Sequence, residues 1–150
     1  MRILRLITIT VIFILACLHI HAQGSTSKGT EFWTAYMANS NPPTGSTPSV
    51  MDLYITSDVN TSGTVEFENG SPSVNFTVTA NQVTILTMPT ATYIANQGTY
   101  HYGIHITSLK PVAIYAHIFA NSSSGATLLL PVNTLGKDYY SIKYLPVITV

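Results

Sequence analysis

The 150-residue chain is predicted to form an all-β domain, an antiparallel two-layer β-sandwich, with part of a β-propeller as the alternative architecture. Three observations lead there. Several short runs alternate apolar and polar residues with period two, the pattern of a half-buried strand. Turn residues separate these runs at short intervals, the spacing of sandwiches and barrels. No stretch sustains a 3.6-residue period over ten residues, which leaves no amphipathic helix to pack against a sheet.

Residues 32–38 (FWTAYMA) supply the first strand candidate, and the Pro-, Gly-, Ser- and Asn-rich residues 39–49 a loop. Over 50–57, Met51, Leu53 and Ile55 share one face and Asp52, Tyr54 and Thr56 the other. Residues 58–63 read as a turn. The next run, 64–68, places Val65 and Phe67 inward and Glu66 and Glu68 outward. Asn69-Gly70 makes a tight turn because both residues tolerate positive φ. Val74, Phe76 and Val78 alternate with polar neighbours, residues 80–82 turn the chain, and 83–88 complete the series before Pro89.

Residues 90–98 form a connection without a clear period. Residues 100–107 read as a strand with Ile104 and Ile106 on one face and His101, His105 and Thr107 on the other. Lys110-Pro111 is predicted to turn the chain into a separate strand over 112–120. Ser122-Ser123-Ser124-Gly125 reads as a hairpin loop tip of small polar residues. Residues 127–132 and 139–144 are the last full strands, with a turn over 135–138. The closing LPVITV is apolar and β-prone; as half a strand it would leave backbone groups unpaired, so the chain reads as the front of a longer protein.

The first 22 residues have a different character. Arg2 and Arg5 precede an apolar run over 6–20, and His21-Ala22-Gln23-Gly24 follows. The run is shorter than the roughly 20 residues a spanning helix needs. Basic start, short apolar middle and small-residue exit match a secretory signal peptide, with cleavage after Ala22 and a domain over 23–150. Cys17, in Ile14-Leu15-Ala16-Cys17, is the alternative: it could be the lipidated first residue of a lipoprotein. Bulky Leu15 and the apolar residues after Cys17 favour the Ala22 site. Cleavage there removes the single cysteine, and with it any disulfide or thiolate metal site.

Both arginines leave with the signal, so residues 23–150 hold four lysines against six carboxylates, a net charge of −2. Nucleic-acid binding needs a cationic footprint for phosphates, and that class is excluded. No later apolar run is long enough to span a membrane as a helix. Thr, Ser, Asn and Tyr supply the polar surface, a composition suited to an extracellular β-domain.

Candidate catalytic groups resolve into strand punctuation. His101 and His105 share a strand face but lie about 13 Å apart, too far to bind one metal ion. His117 could approach one of them from a neighbouring strand, but no carboxylate or thiol stands nearby in sequence. The serine cluster does not fit a Gly-x-Ser-x-Gly nucleophile elbow, and no His follows it. Glu66 and Glu68, about 7 Å apart on one strand, have the separation of an inverting glycosidase pair, but any solvated strand face shows the same alternation.

Four motifs suggest a family. Gly29-Thr-Glu-Phe-Trp33, Leu53-Tyr-Ile-Thr-Ser57, residues 103–116 (GIHITSLKPVAIYA) and residues 130–140 (LPVNTLGKDYY) resemble the N-terminal domain of IgGFc-binding proteins, over about residues 28–146. The resemblance implies a secreted or surface-displayed bacterial protein with this domain at its front and further domains of the same polypeptide downstream. It implies no catalytic residues, and no contact residues for Fc can be matched.

The expected function is an exported cell-surface binding or adhesion module, without enzymatic activity, cofactor or metal, whose partner is an extracellular protein or glycan. A carbohydrate-binding or polysaccharide-processing module is the alternative. In that case Trp33, Tyr36, Tyr54 and Tyr100, with Tyr93, are the aromatic faces available for stacking on sugars.

Overall fold

A computed structural model describes residues 27–39, 43–44, 48–121 and 123–140. Residues 1–26, with Cys17 and Ala22 of the expected signal peptide, most of the loop over 40–47, and residues 141–150 lie outside the described residues. The all-β class holds. The strands are β1 (Gly29–Thr34), β2 (Tyr36–Met37), β3 (Val50–Thr56), β4 (Thr61–Phe67), β5 (Val74–Val78), β6 (Val83–Thr87), β7 (Tyr93–Ile94), β8 (Ile104–Ala120) and β9 (Ser123–Leu128). Single 3-10 turns occupy Thr90–Thr92 and Val132–Thr134. No helix among the described residues is long and apolar enough to cross a membrane.

β8 organises the rest. Its first part lies between β1 and β4, and its second part between β3 and β9, all antiparallel. β5 extends the sheet beyond β4, and β6 extends it beyond β3. Two four-stranded halves result, β5-β4-β8-β1 and β6-β3-β8-β9, with β8 common to both. β2 and β7 form a separate short parallel pair.

The predicted turn at Lys110-Pro111 is therefore replaced by an unbroken 17-residue strand. Proline interrupts a strand because it lacks an N–H for the ladder. Here that lack costs nothing, because pairing with β4 ends at Ser108 and pairing with β3 begins at Ala113. The register with β1 also shifts at this point, from Glu31↔Thr107 to Gly29↔Val112. Side chains stitch the corner: the Lys110 N–H donates to Thr61 Oγ1 at 3.0 Å, and the Ser57 hydroxyl donates to the Pro111 carbonyl at 2.8 Å.

Side-chain parity survives the corner. Ile104, Ile106, Val112, Ile114 and Ala116 are all buried and all point inward. They join Phe32, Val65, Phe67, Phe76 and Val78 from the first half with Met51, Leu53 and Ile55 from the second in one cluster. Each such side chain contributes about 1.5–3 kcal/mol by leaving water.

Other boundaries move for local reasons. β4 starts at Thr61, because Thr61, Ser62 and Gly63 pair with β5 and the predicted turn over 58–63 shortens accordingly. The expected loop tip at 122–125 is instead mostly strand: Ser123 pairs with Ala120, Ser124 with Phe119 and Gly125 with Ile118. The expected strand over 127–132 ends at Leu128, and Pro131 opens a 3-10 turn. Pro131 packs against β1 so closely that a Cβ on Gly29 would lie 2.2 Å from its Cβ. Residues 100–103 precede β8, Ala35 breaks the first predicted strand, and residues 139 and 140 are not in a strand.

Gly63 marks the tightest crossing of β4. A Cβ there would lie 2.1 Å from the Thr107 carbonyl oxygen and 2.4 Å from the Phe76 ring. Since one obstacle is backbone, Gly63→Ala is expected to destabilise the fold by about 1–3 kcal/mol. Urea denaturation measures this, and an unchanged midpoint would contradict the packing described.

Candidate functional site

The outer face of the first half gathers chemistry from three strands. Register places Trp33, His105 and Glu66 in one row across β1, β8 and β4, and Glu31, Thr107 and Thr64 in the next. These residues point outward because their strand neighbours Phe32, Ile104, Ile106, Val65 and Phe67 fill the core. The Trp33 ring, 46% exposed, stacks on His105 with centroids 4.4 Å apart and planes inclined by 15°.

Three carboxylates surround that stack. His105 Nε2 lies 3.0 Å from Glu31 Oε1, and its Nδ1 lies 3.4 Å from Glu66 Oε2. A doubly protonated ring donates to both, a neutral one to only one. Glu68 accepts the Gly103 N–H at 3.0 Å. A Cβ on Gly103 would lie 2.5 Å from Glu68 Oε2 and 3.2 Å from the Trp33 ring, so a side chain there would displace the Glu68 carboxylate. Glu31 and Glu66 engage opposite edges of the imidazole, so their oxygens do not converge. Among the described residues no group of three or more His, Cys, Asp or Glu side chains is placed to hold a metal ion.

The same face continues as a trough. A recess of about 490 Å³ is lined by Ser62, Thr64, Asn75, Thr77, Thr107 and Leu109, among others. A second recess, of about 460 Å³, shares Ser62, Thr77 and Leu109 and runs on past Asn60 and Thr79 to Lys110. Leu109 is 78% exposed. Thr64 Oγ1 donates to Asn75 Oδ1 at 3.0 Å, and among the described residues the Asn75 amide nitrogen makes no hydrogen bond. Thr107 lies two residues from His105 on the same strand face, about 7 Å along it, so platform and recess adjoin.

The four predicted stacking aromatics do not assemble into one site. Trp33 is the platform just described. Tyr36 is a correction: it is 3% exposed and belongs to the core, where its hydroxyl donates to the Asp52 carbonyl at 2.7 Å. Tyr54 lies on the outer face of the second half, opposite Ile85 and Tyr115, with its ring 5.8 Å from that of His117. Tyr100 is exposed and pairs with Tyr102 at 5.3 Å, and Tyr93 packs partly buried against the core. Each of Trp33, Tyr54 and Tyr100 thus pairs with a different ring.

The histidines are separated as well. His105 and His117 sit on the same strand in different halves, so His117 does not approach from a neighbouring strand. Its ring stacks on Phe119 at 4.8 Å, and its Nε2 lies 2.8 Å from Ser124 Oγ. Asp52, expected on an open face, is buried and accepts from Thr87 Oγ1 at 2.7 Å. Ser62, Thr64, Asn75, Thr77 and Leu109 were not candidates from sequence. Their one signal is outward parity on β4, β5 and β8, which every solvated strand shares.

Burial holds the Tyr36 phenol well above its ordinary pKa near 10, the Asp52 charge adds to this, and a backbone contact at His117 opposes it. A phenol so held contributes stability that is fully present below its unfolded-state pKa and is lost as pH rises toward its folded value. Urea midpoints should therefore fall above about pH 10. Tyr36→Phe should flatten that fall while costing about 1 kcal/mol at neutral pH for the lost hydrogen bond. Parallel pH profiles in the two proteins would contradict this placement. No family model, curated protein or solved structure matches this chain.

Proposed function

We propose that this chain is an exported cell-surface binding module that holds an extracellular ligand on the outer face of the β5-β4-β8-β1 half. The observation that carries the reading is the Trp33–His105 stack with Glu31, Glu66 and Glu68 around it. A half-exposed tryptophan supplies no core packing there, and it presents a large rigid apolar surface with hydrogen-bonding groups beside it. Such aromatic anchors rimmed by polar groups are what binding hot spots use. The signal-like residues 1–22 support export, and the resemblance to IgGFc-binding N-terminal domains supports a surface role at the front of a larger protein. The motifs behind that resemblance also touch, since Gly29 packs on Pro131.

The module acts by binding rather than by catalysis. Glu66 lies on β4 and Glu68 in the turn that directly follows it, rather than across a cleft from each other, and Glu68 is occupied by the Gly103 N–H. The polysaccharide-processing alternative predicts hydrolysis that is lost in a Glu66→Gln, Glu68→Gln double variant; the binding reading expects no hydrolysis by either protein.

Two measurements test the proposal. The N-terminus of the exported protein should be Gln23, and a lipid-modified Cys17 there would contradict the export route. Beads coated with the full chain should capture ligands from a panel of immobilised extracellular glycoproteins. Trp33→Ala should weaken that capture about tenfold, equivalent to about 1.4 kcal/mol. Absence of capture, or capture unchanged in Trp33→Ala, would sink the proposal.

A further inference from the structure

We infer that the trough takes a neutral glycan chain, with one sugar ring stacked on Trp33 and the following ring or rings in the recess between β4, β5 and β8. This deepens the binding-module reading and rests on it. The recess wall supplies the first reason. Ser62, Thr64, Thr77 and Thr107 contribute hydroxyls and Asn75 an amide, groups that both donate and accept, as sugar hydroxyls do.

These groups are also not spent on holding the fold together. Ser57, Thr84, Thr87, Thr92 and Thr134 each donate to a carbonyl or carboxylate of the fold. Among the described residues, the side-chain hydroxyls of Ser62, Thr77 and Thr107 make no such bond, and Asn75 uses only its carbonyl oxygen. Other exposed strand hydroxyls are unbonded too, but these are grouped along one concave surface.

The apolar surface fits the same ligand. A sugar ring has an apolar C–H face and a hydroxyl rim, so it needs flat apolar surface beside hydrogen-bonding groups. Trp33 offers that surface in the row of residues next to Thr107, and Leu109 offers it within the recesses. Charge then narrows the class. Glu31, Glu66 and Glu68 ring the platform, so a uronate or sialate there meets like charge, which disfavours acidic glycans. A peptide strand adding to an open sheet edge would bond to backbone and make no use of the trough.

Trp33 is the only tryptophan in the chain, so its fluorescence reports the platform directly. The full chain is titrated with neutral hexose oligomers, N-acetylhexosamine oligomers, and uronate- or sialate-bearing oligomers. At least one neutral series should shift the Trp33 emission and bind at least tenfold more tightly than its acidic counterpart. An Asn75→Ala, Thr107→Val double variant should weaken that binding about tenfold. Its unaltered far-UV circular dichroism and urea midpoint would show that the fold is kept. Capture of glycoproteins that survives their enzymatic deglycosylation, with no oligomer binding, would overturn the glycan inference while the binding-module reading stands. Loss of all capture removes that reading itself. Oligomer binding that prefers acidic chains, or that ignores the double variant, also overturns the inference.

Discussion

Everything in this fold depends on one strand passing from one set of neighbours to another without ending. β8 runs 17 residues, and each of its two parts is the inner strand of a four-stranded half. A strand in that position has both edges paired, so its N–H and C=O groups are satisfied within the sheet. The exchange of neighbours at Pro111 is the one place where a missing N–H does no harm, and it is where the proline sits. Because parity is kept through the corner, both halves turn their apolar faces to the same core. Had the register slipped by one residue, every side chain beyond Pro111 would have changed face.

That constraint also explains the candidate site. Outward positions on the first part of β8 face solvent because Ile104 and Ile106 face the core. β1 and β4 flank that part, so Trp33 and Glu66 are brought to opposite sides of His105. Gly63 and Gly103 allow close approaches, one beside the Thr107 backbone and one beside the Glu68 carboxylate and the edge of the Trp33 ring. The two recesses follow from the same face where β4 and β5 run beside Leu109.

Much of this was legible from sequence wherever the deciding interaction is local. Alternation over 50–57, 64–68 and 74–79, with the run 83–88, located four strands and put Met51, Leu53 and Ile55 on one face and Val65 and Phe67 inward. Local reading failed at Lys110-Pro111, where proline's usual meaning yields to a change of strand partners tens of residues away. It failed at Ser123–Gly125 for a similar reason: small polar residues mark a loop tip, but the ladder with β8 extends them into β9. Tyr36 looked like an available ring because one residue cannot show which face of a two-residue strand meets the core. The stack of Trp33 on His105 links residues 72 apart in sequence, and no periodicity reveals such a pair.

If β8 joins the halves as described, they cannot open independently. Native-state hydrogen exchange at Ile106 and Ile114, on either side of Pro111, tests this most directly. The expected result is the same opening free energy at both amides, equal to that of global unfolding. A difference of more than about 2 kcal/mol between them would show two separately opening units, and would contradict a single strand holding one core.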